Sequence, residues 1–229
     1  MTHQGKKYTK AHEALGQKKV FSLQEGVAKL RELAYARFDE SADVSVNLGI
    51  DAAKGDQAVR GSVLMPHGSG RIIKILVFAK GQYADQAEKA GADYVGAEDL
   101  IERIESGWLD FNYAIATPDL MGLVGKVARI LGPRGLLPNK KTGTVTFDIA
   151  STIADLKKGR LFFKNDKAGI VHFSFGKLSQ GNEKLADNLK AFLKVLATSK
   201  PAASKGKFIR KITVSSTMGP GIPVHAEEL

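Results

Sequence analysis

The run Gly135-Leu-Leu-Pro-Asn-Lys-Lys-Thr142 has nearly the spacing of a loop that binds nucleotide phosphates, but Lys140 stands where that motif has its second glycine. In such loops a strand precedes and a helix follows, so that backbone N–H groups and the helix N-terminus meet the phosphates. Here the hydrophobic pattern predicts a helix before the run and a strand after it. We therefore do not expect this chain to hydrolyse a nucleotide.

The other residue types offer little to catalysis or metal binding. The chain has no cysteine, which excludes thiolate metal ligands, iron–sulfur clusters and cysteine nucleophiles. The five histidines are scattered, and no two have the spacing of metal ligands on one helix or hairpin: His3, His12, His67, His172 and His225. The sequence predicts that the chain is not an enzyme and that it binds no metal or cofactor.

Three short runs have residue types that suit RNA. Lys164-Asn-Asp-Lys167 places two cations and two hydrogen-bonding side chains in one turn, although Asn and Asp also favour turns for structural reasons. Thr217-Met-Gly-Pro-Gly221 ends a strand with a hydroxyl and an apolar surface, and a plain turn is the alternative. Arg37 and Phe38 put a cation beside an aromatic ring, which suits phosphate and stacking contacts. A phenylalanine at the edge of the core is the alternative there.

The charge distribution favours a polyanionic partner. The chain has 34 Lys and Arg against 24 Asp and Glu, a net charge of +10, and such proteins often bind nucleic acid or anionic membrane surfaces. Residues 85–119 hold two basic and nine acidic side chains, whereas residues 120–211 hold nineteen basic and five acidic ones. We expect only part of the chain to face phosphate. No apolar stretch is long enough to span a membrane, and the basic N-terminal start has no apolar segment after it, so we expect neither a membrane-spanning helix nor a secretory signal. The missing cysteines are compatible with a reducing cytoplasm.

Hydrophobic periodicity predicts the elements that position these runs. A capping box at Ser22 and Glu25 predicts the start of a helix that ends near Phe38. The near-continuous apolar run 72–79 predicts a strand covered on both faces, and it opens a strand–helix alternation typical of a small parallel sheet. The other predicted helices are 82–90, 98–106, 118–130, 149–158 and 182–197, and the other predicted strands are 44–50, 59–65, 94–95, 113–117, 144–147, 161–163, 169–175 and 208–214.

The two ends of the chain are predicted to form one domain. Residues 1–67 contain one helix and two strands, too little core to be stable alone. With residues 160–229 they make an α+β open-faced discontinuous domain with two helices on a mostly antiparallel sheet. Residues 68–159 then form an inserted α/β three-layer Rossmann-like domain, and the crossings near 66–70 and 159 form a hinge. The net charges, +9 for the outer segments and +1 for the insert, support this division over two consecutive domains.

A nine-residue run, Leu131-Gly-Pro-Arg-Gly-Leu-Leu-Pro-Asn139, follows the last helix of the predicted insert. Five shorter runs accompany it in a fixed order: Asp56-Gln-Ala-Val-Arg-Gly61, Pro66-His-Gly68, Ala90-Gly-Ala-Asp-Tyr-Val-Gly96, Asn165-Asp-Lys167 and Thr217-Met-Gly219. In this combination, which spans essentially the whole chain, the sequence resembles the large-subunit ribosomal protein of the mobile side stalk, the bacterial L-one family.

The resemblance implies a discontinuous first domain, an inserted Rossmann-like domain and a monomeric protein within the ribosome. It implies binding of the stalk segment of large-subunit rRNA, help in releasing deacylated tRNA from the exit site, and translational repression of the chain's own operon through its mRNA. The RNA contacts that it implies are Phe38, Asp166, Lys167, Thr217, Met218 and Gly219.

Further contacts follow from residue type and position. We expect additional RNA contacts from Arg37, Arg60, Lys164, Asn165 and His172, and a tRNA contact from the loop with Arg134, Lys140 and Lys141. Two alternatives from other classes remain at this point. One is an enzyme that binds a nucleotide in the parallel domain. The other is a general anion-binding or membrane-surface protein, although the chain lacks the strongly basic amphipathic helix which that function needs.

Overall fold

The computed structural model describes residues 5–16, 20–52, 54–204 and 206–225. Of the residues singled out above, His3 and the start of the N-terminal basic run lie outside these ranges. The chain divides into two compact units, Met1–Gly70 with Leu161–Leu229, and Arg71–Arg160. Helices and several sheets alternate along it, which agrees with a mixed α and β fold. The finer assignment, an RNA-binding outer domain with a Rossmann-like insert, stays a prediction.

The helices are α1 (Lys6–Leu15), α2 (Leu23–Glu32), α3 (Gln82–Lys89), α4 (Glu98–Glu105), α5 (Met121–Val124), α6 (Ala128–Leu131), α7 (Ile149–Lys157) and α8 (Asn182–Thr198). The strands are β1 (Ser41–Leu48), β2 (Arg60–Leu64), β3 (Ile75–Phe78), β4 (Tyr94–Gly96), β5 (Tyr113–Ala116), β6 (Arg160–Lys164), β7 (Ile170–Lys177), β8 (Ile209–Ser216) and β9 (Ile222–Val224). No helix within the described ranges has the length and apolar character that crossing a membrane requires.

The first unit is built on an antiparallel sheet with the strand order β7-β1-β8-β9. Its alternating apolar side chains are buried and pack beneath α2 and α8; Val44 and Val46, for example, are at most 1% exposed. The rings of Phe173 and Phe192 stack in this core with centroids 4.2 Å apart. A separate two-stranded sheet joins β2 to β6. The covered face therefore contains the core and leaves the opposite face of the sheet to polar side chains.

The capping box predicted at the start of α2 is present. The N–H of Ser22 donates to Glu25 Oε2 at 3.2 Å, and the N–H of Glu25 donates to Ser22 Oγ at 3.3 Å. The predicted end near Phe38 is wrong, because α2 stops at Glu32. Residues 33–40 form an irregular segment, which we call the α2–β1 bend. Several of its polar groups form hydrogen bonds with residues that are distant in the sequence.

The second unit contains a parallel sheet with the strand order β4-β3-β5. The four residues of β3 are fully buried, but the strand is shorter than the predicted range 72–79. Ile72 lies before the strand and is 95% exposed, so the prediction of a covered strand is wrong at that end. The helix predicted over 118–130 is instead two short α-helices, with one 3₁₀ turn before the first and one between them. Gly122 and Gly125 explain this by their low helix propensity. The strand predicted over 144–147 is reduced to a single parallel bridge between Val145 and Ala116.

Candidate nucleic-acid interface

The α2–β1 bend meets the residues that follow β8, the β8 exit (residues 217–221). The hydroxyl of Tyr35 donates to the carbonyl oxygen of Met218 at 2.6 Å. The N–H of Ser41 donates to Thr217 Oγ1 at 2.9 Å, and the N–H of Met218 donates to Glu40 Oε2 at 3.0 Å. The structure thus brings together two of the runs that the sequence predicts as RNA contacts.

The carboxylate of Glu40 is central to this junction, although Glu40 is only 2% exposed. Its Oε1 accepts a hydrogen bond from the N–H of Ala36 at 2.9 Å, while Oε2 accepts the one from Met218. Burial is the largest single effect on the pKa of Glu40 and raises it. Hydrogen bonds from the Ser216 hydroxyl and from backbone N–H groups together outweigh that effect, so the pKa lies below its ordinary value. Sequence reasoning missed Glu40, because nothing in the sequence pairs it with residue 218.

The bend is also held on its other side. Both Oδ atoms of Asp39 accept hydrogen bonds from Ser179, from the N–H at 3.1 Å and from the hydroxyl at 2.8 Å. The ammonium group of Lys177 donates to the carbonyl oxygen of Asp39 at 3.0 Å. Between these anchors, Arg37 is exposed and Phe38 keeps 56% of its surface exposed. An exposed aromatic ring on an anchored segment can stack on an unpaired base.

The hairpin that contains Lys164 and Lys167 uses its other two polar side chains within the protein. Asn165 Oδ1 accepts from the N–H of Val59 at 2.8 Å. Asp166 Oδ1 accepts from the N–H groups of Ile170 and Ala168 at 2.8 and 2.9 Å.

Chiefly through the hydrogen bond from Ile170, this environment lowers the pKa of Asp166. The turn therefore keeps its carboxylate ionised, while Lys164 and Lys167 are exposed beside it. Arg60 is also exposed, and it directly follows Val59, whose N–H donates to Asn165 Oδ1.

His172 connects this hairpin to the polar face of the four-stranded sheet. Its Nε2 lies 3.6 Å from Asp166 Oδ2, and its Nδ1 lies 3.0 Å from Ser45 Oγ on the neighbouring strand. Ser45 in turn pairs with Thr213 on β8. The side chains on this face are mostly small and polar and remain partly or fully exposed: Asp43, Ser45, Asn47, His172, Ser174, Lys211, Thr213 and Ser215. Sequence alternation could have identified this row, of which only His172 was predicted as a contact.

The loop predicted to contact tRNA lies in the second unit. Its end is closed by Thr144, whose N–H donates to the carbonyl oxygen of Asn139 at 3.2 Å and whose Oγ1 accepts from the N–H of Asn139 at 2.8 Å. Arg134 and Lys140 are exposed, and the side chain of Lys141 lies outside the described part of the chain. No Asp or Glu occurs between residues 120 and 147, so the surface of this loop is cationic.

The same loop does not have the geometry of a nucleotide phosphate-binding loop. The short helix α6 precedes it, and a 3₁₀ turn over Lys140–Thr142 occupies the place where such a loop would start its helix. Among the described residues, no group of three His, Asp or Glu side chains could hold a metal ion.

Comparison with known proteins identifies similar chains over nearly the full length. Residues 30–220 match the family described as the ribosomal protein L1p/L10e family. A protein of Desulfotalea psychrophila called large ribosomal subunit protein uL1 is 48% identical over 224 residues, which cover 98% of this chain and 95% of that protein. A protein of the same name from Desulfosudis oleivorans is 51% identical over 222 residues, 97% of this chain and 95% of that protein. The matched range includes every residue predicted above as an RNA contact.

Proposed function

Because this chain belongs to the ribosomal protein L1p/L10e family, we propose that it is a constituent of the large ribosomal subunit and binds the stalk segment of large-subunit rRNA. The family consists of ribosomal proteins and not of enzymes, in agreement with the prediction that the chain is no enzyme. Its proposed place is the large subunit in the cytoplasm. The nucleotide-binding enzyme considered above is thereby set aside.

The observation that carries the proposal is the junction of the α2–β1 bend with the β8 exit. There Phe38 and Met218 are 56% and 49% exposed, although the backbone around them is hydrogen-bonded. Folded RNA is recognised largely through riboses, phosphates and displayed bases. The ring of Phe38 suits stacking on a base, and the thioether side chain of Met218 suits packing against a base or a ribose. Phe38 and Met218, two exposed apolar side chains on a hydrogen-bonded backbone, are therefore suited to recognise RNA by its shape.

Thr217 adds a directed polar contact beside this pair. Its Oγ1 already accepts the N–H of Ser41, and a hydroxyl still has its own proton to donate. That proton can reach a ribose 2′-hydroxyl or a phosphate oxygen. Gly219 donates its N–H to Ser216 Oγ at 3.1 Å, and its partly exposed backbone can contact the RNA.

Cations around the junction and the sheet face supply attraction that depends on salt. Arg37, Arg60, Lys164 and Lys167 are exposed and are suited to phosphate contacts. His172, on the polar sheet face, offers a ring for hydrogen bonding. Asn165 and Asp166 then act mainly by shaping the hairpin, since Asn165 bonds to Val59 and to the carbonyl oxygen of Asp166, and Asp166 Oδ1 accepts from two backbone N–H groups.

The chain's further proposed roles rest on the resemblance and on the cationic loop of the second unit. We propose that segments 1–67 and 160–229 form the rRNA-binding domain, and that segment 68–159 is a Rossmann-like insert on a hinge. Arg134, Lys140 and Lys141 in the insert then contact exit-site tRNA weakly and assist release of deacylated tRNA. The rRNA-binding surface also binds a similar structure in the chain's own operon mRNA and represses its translation.

Filter-binding titration against the folded stalk segment tests the central proposal. The titration is run at several salt concentrations with excess unrelated RNA. Tight binding that survives the competitor supports specific rRNA recognition. Binding that competitor and salt abolish would contradict it, and would favour the general anion-binding alternative.

A further inference from the structure

Glu40 occupies a position that none of the proposed RNA contacts explains. It is 2% exposed, yet it lies between two segments that reach solvent, the bend with Phe38 and the exit with Met218. Its carboxylate accepts the N–H of Ala36 at 2.9 Å and the N–H of Met218 at 3.0 Å, four and 178 residues away in sequence.

The donors around Glu40 are all neutral. Within the described part of the chain, no Lys, Arg or His forms a salt bridge with it. A carboxylate is the only side chain that offers two oxygens which exclusively accept hydrogen bonds. Glutamine would turn an NH₂ group towards one of the N–H donors, and aspartate would be one methylene too short to reach both segments. The site therefore requires a glutamate for its geometry and not for neutralising a cation.

We infer that Glu40 is a positioning residue for RNA recognition, holding the α2–β1 bend and the β8 exit together as one preformed surface. The inference rests on the proposed function, since it concerns the same surface. Glu40 touches no RNA itself, because its carboxylate is buried and occupied by protein donors. It acts through its hydrogen bonds to the backbone of Met218 and of Ala36. Arg37 and Phe38 directly follow Ala36 in the sequence.

The effect on binding follows from preorganisation. With Glu40 in place, the N–H of Met218 bonds to Glu40 and its carbonyl oxygen bonds to the hydroxyl of Tyr35, so the backbone of Met218 is held on both sides. Without Glu40, the exit and the bend must be ordered when RNA binds, and that ordering lowers affinity. Because a preformed surface mainly slows dissociation, the loss appears chiefly as faster dissociation.

The test compares Glu40→Gln with Glu32→Gln in the full chain. Glu32 is an exposed carboxylate on α2, paired with Lys29 at 2.7 Å. Both variants therefore lose one negative charge, but only Glu40→Gln loses the junction. We expect Glu40→Gln to bind the folded stalk segment about tenfold more weakly, with an unchanged slope of affinity against salt, because no phosphate contact is lost. Glu32→Gln should bind at least as tightly as the wild type.

Hydrogen exchange provides a readout that does not depend on RNA. In Glu40→Gln the amide protons of Ala36 and Met218 should exchange faster, while those of the central strand β1 keep their protection. Should Glu40→Gln fail to fold, Tyr35→Phe removes only the hydroxyl bond to Met218 and should weaken RNA binding in the same direction by a smaller factor.

The outcomes separate the two proposals. Wild-type binding that is specific, together with unchanged affinity in folded Glu40→Gln, would overturn the role of Glu40 alone. Where Glu40→Gln does not fold, unchanged affinity in Tyr35→Phe would do the same. Weaker binding in Glu40→Gln with β1 protection lost as well would show a general defect and would also overturn it. A wild-type chain without preference for the stalk segment would instead overturn the proposed function, and with it the positioning role.

Discussion

The hydroxyl of Tyr35 donates a 2.6 Å hydrogen bond to the carbonyl oxygen of Met218, across 183 residues of sequence. The N–H of the same methionine donates to Glu40, so both backbone polar groups of Met218 are bonded to the α2–β1 bend. Its side chain, in contrast, is 49% exposed. An apolar side chain with a fixed backbone and an open surface is well suited to contact a partner without first paying a large ordering entropy.

Truncating the exposed apolar pair should weaken specific binding. We expect Met218→Ala and Phe38→Ala each to cost about 1–3 kcal/mol of binding free energy, the range for stacking contacts removed by alanine substitution. The salt dependence should not change, because neither side chain carries charge. Filter binding to the folded stalk segment measures both quantities. Leu64→Ala, which truncates a side chain 51% exposed on β2, is the matched control, and an equal loss there would contradict a localised site.

Removing the hairpin cation should change the salt dependence. Lys167→Ala is expected to weaken binding and to reduce the slope of log affinity against log salt by about 0.7–0.9, the contribution of one phosphate contact. Lys184→Ala removes an exposed lysine from α8, which packs on the covered face of the sheet, and should leave the slope unchanged. Equal slopes of log affinity against log salt for the wild type, Lys167→Ala and Lys184→Ala would exclude Lys167 from the phosphate contacts.

The stability conferred by Glu40 should depend on pH. Its folded pKa lies below the ordinary value of 4.5, so the ionised carboxylate stabilises the fold above that value. The contribution disappears as pH falls through the lowered folded pKa. We expect Glu40→Gln to reduce the free energy of unfolding by about 1–3 kcal/mol at pH 7.

The difference from wild type should then shrink progressively below pH 4.5, as followed by urea unfolding at several pH values. A difference that grew on acidification would contradict the assigned sign.

Gly219 should not tolerate a side chain. An added Cβ would lie 2.5 Å from Ser216 Oγ, the atom that accepts the N–H of Gly219. Gly219→Ala is therefore expected to disturb the junction and to lower RNA affinity about tenfold, measured by filter binding. Gly55→Ala, at a glycine where an added Cβ meets nothing within 4 Å, should bind as the wild type does.

Asn188 should be important for stability. It is fully buried, its Oδ1 accepts from the N–H of His67 at 3.1 Å, and its Nδ2 donates to the carbonyl oxygens of Gly68 and Phe175 at 3.1 and 2.9 Å. Asn188→Leu keeps the branched shape of the side chain but removes the partners of the N–H of His67 and of the buried carbonyl oxygen of Phe175. Urea unfolding should show a loss of about 2–4 kcal/mol.

The exposed neighbour of Asn188 supplies the control for this measurement. Asp187→Asn should change stability by less than about 1 kcal/mol, because its pairing with His67 is near the surface. If the leucine variant were as stable as that control, the three hydrogen bonds of Asn188 would contribute nothing.

Local and periodic features were determined by the sequence alone. The capping box of Ser22 and Glu25 formed where it was predicted. The buried run of β3 and the alternation along β1 also formed, with ends that differ from the predicted ones. All three features depend on neighbours a few residues apart. The resemblance carried by Leu131–Asn139 and the shorter runs likewise indicated the family before any contact was known. The assignment of individual RNA contacts and of the domain roles remains a prediction.

Other features were decided only by the tertiary structure. The early end of α2 at Glu32, the single bridge left at Val145 and the burial of Glu40 were not evident from the sequence. Each depends on partners distant along the chain. The carboxylate of Glu40, for example, accepts a hydrogen bond from the N–H of Met218. Periodicity records which residues face the core, but the pairing of a buried carboxylate with backbone groups 178 residues away arises only when the sheet brings β1 beside β8.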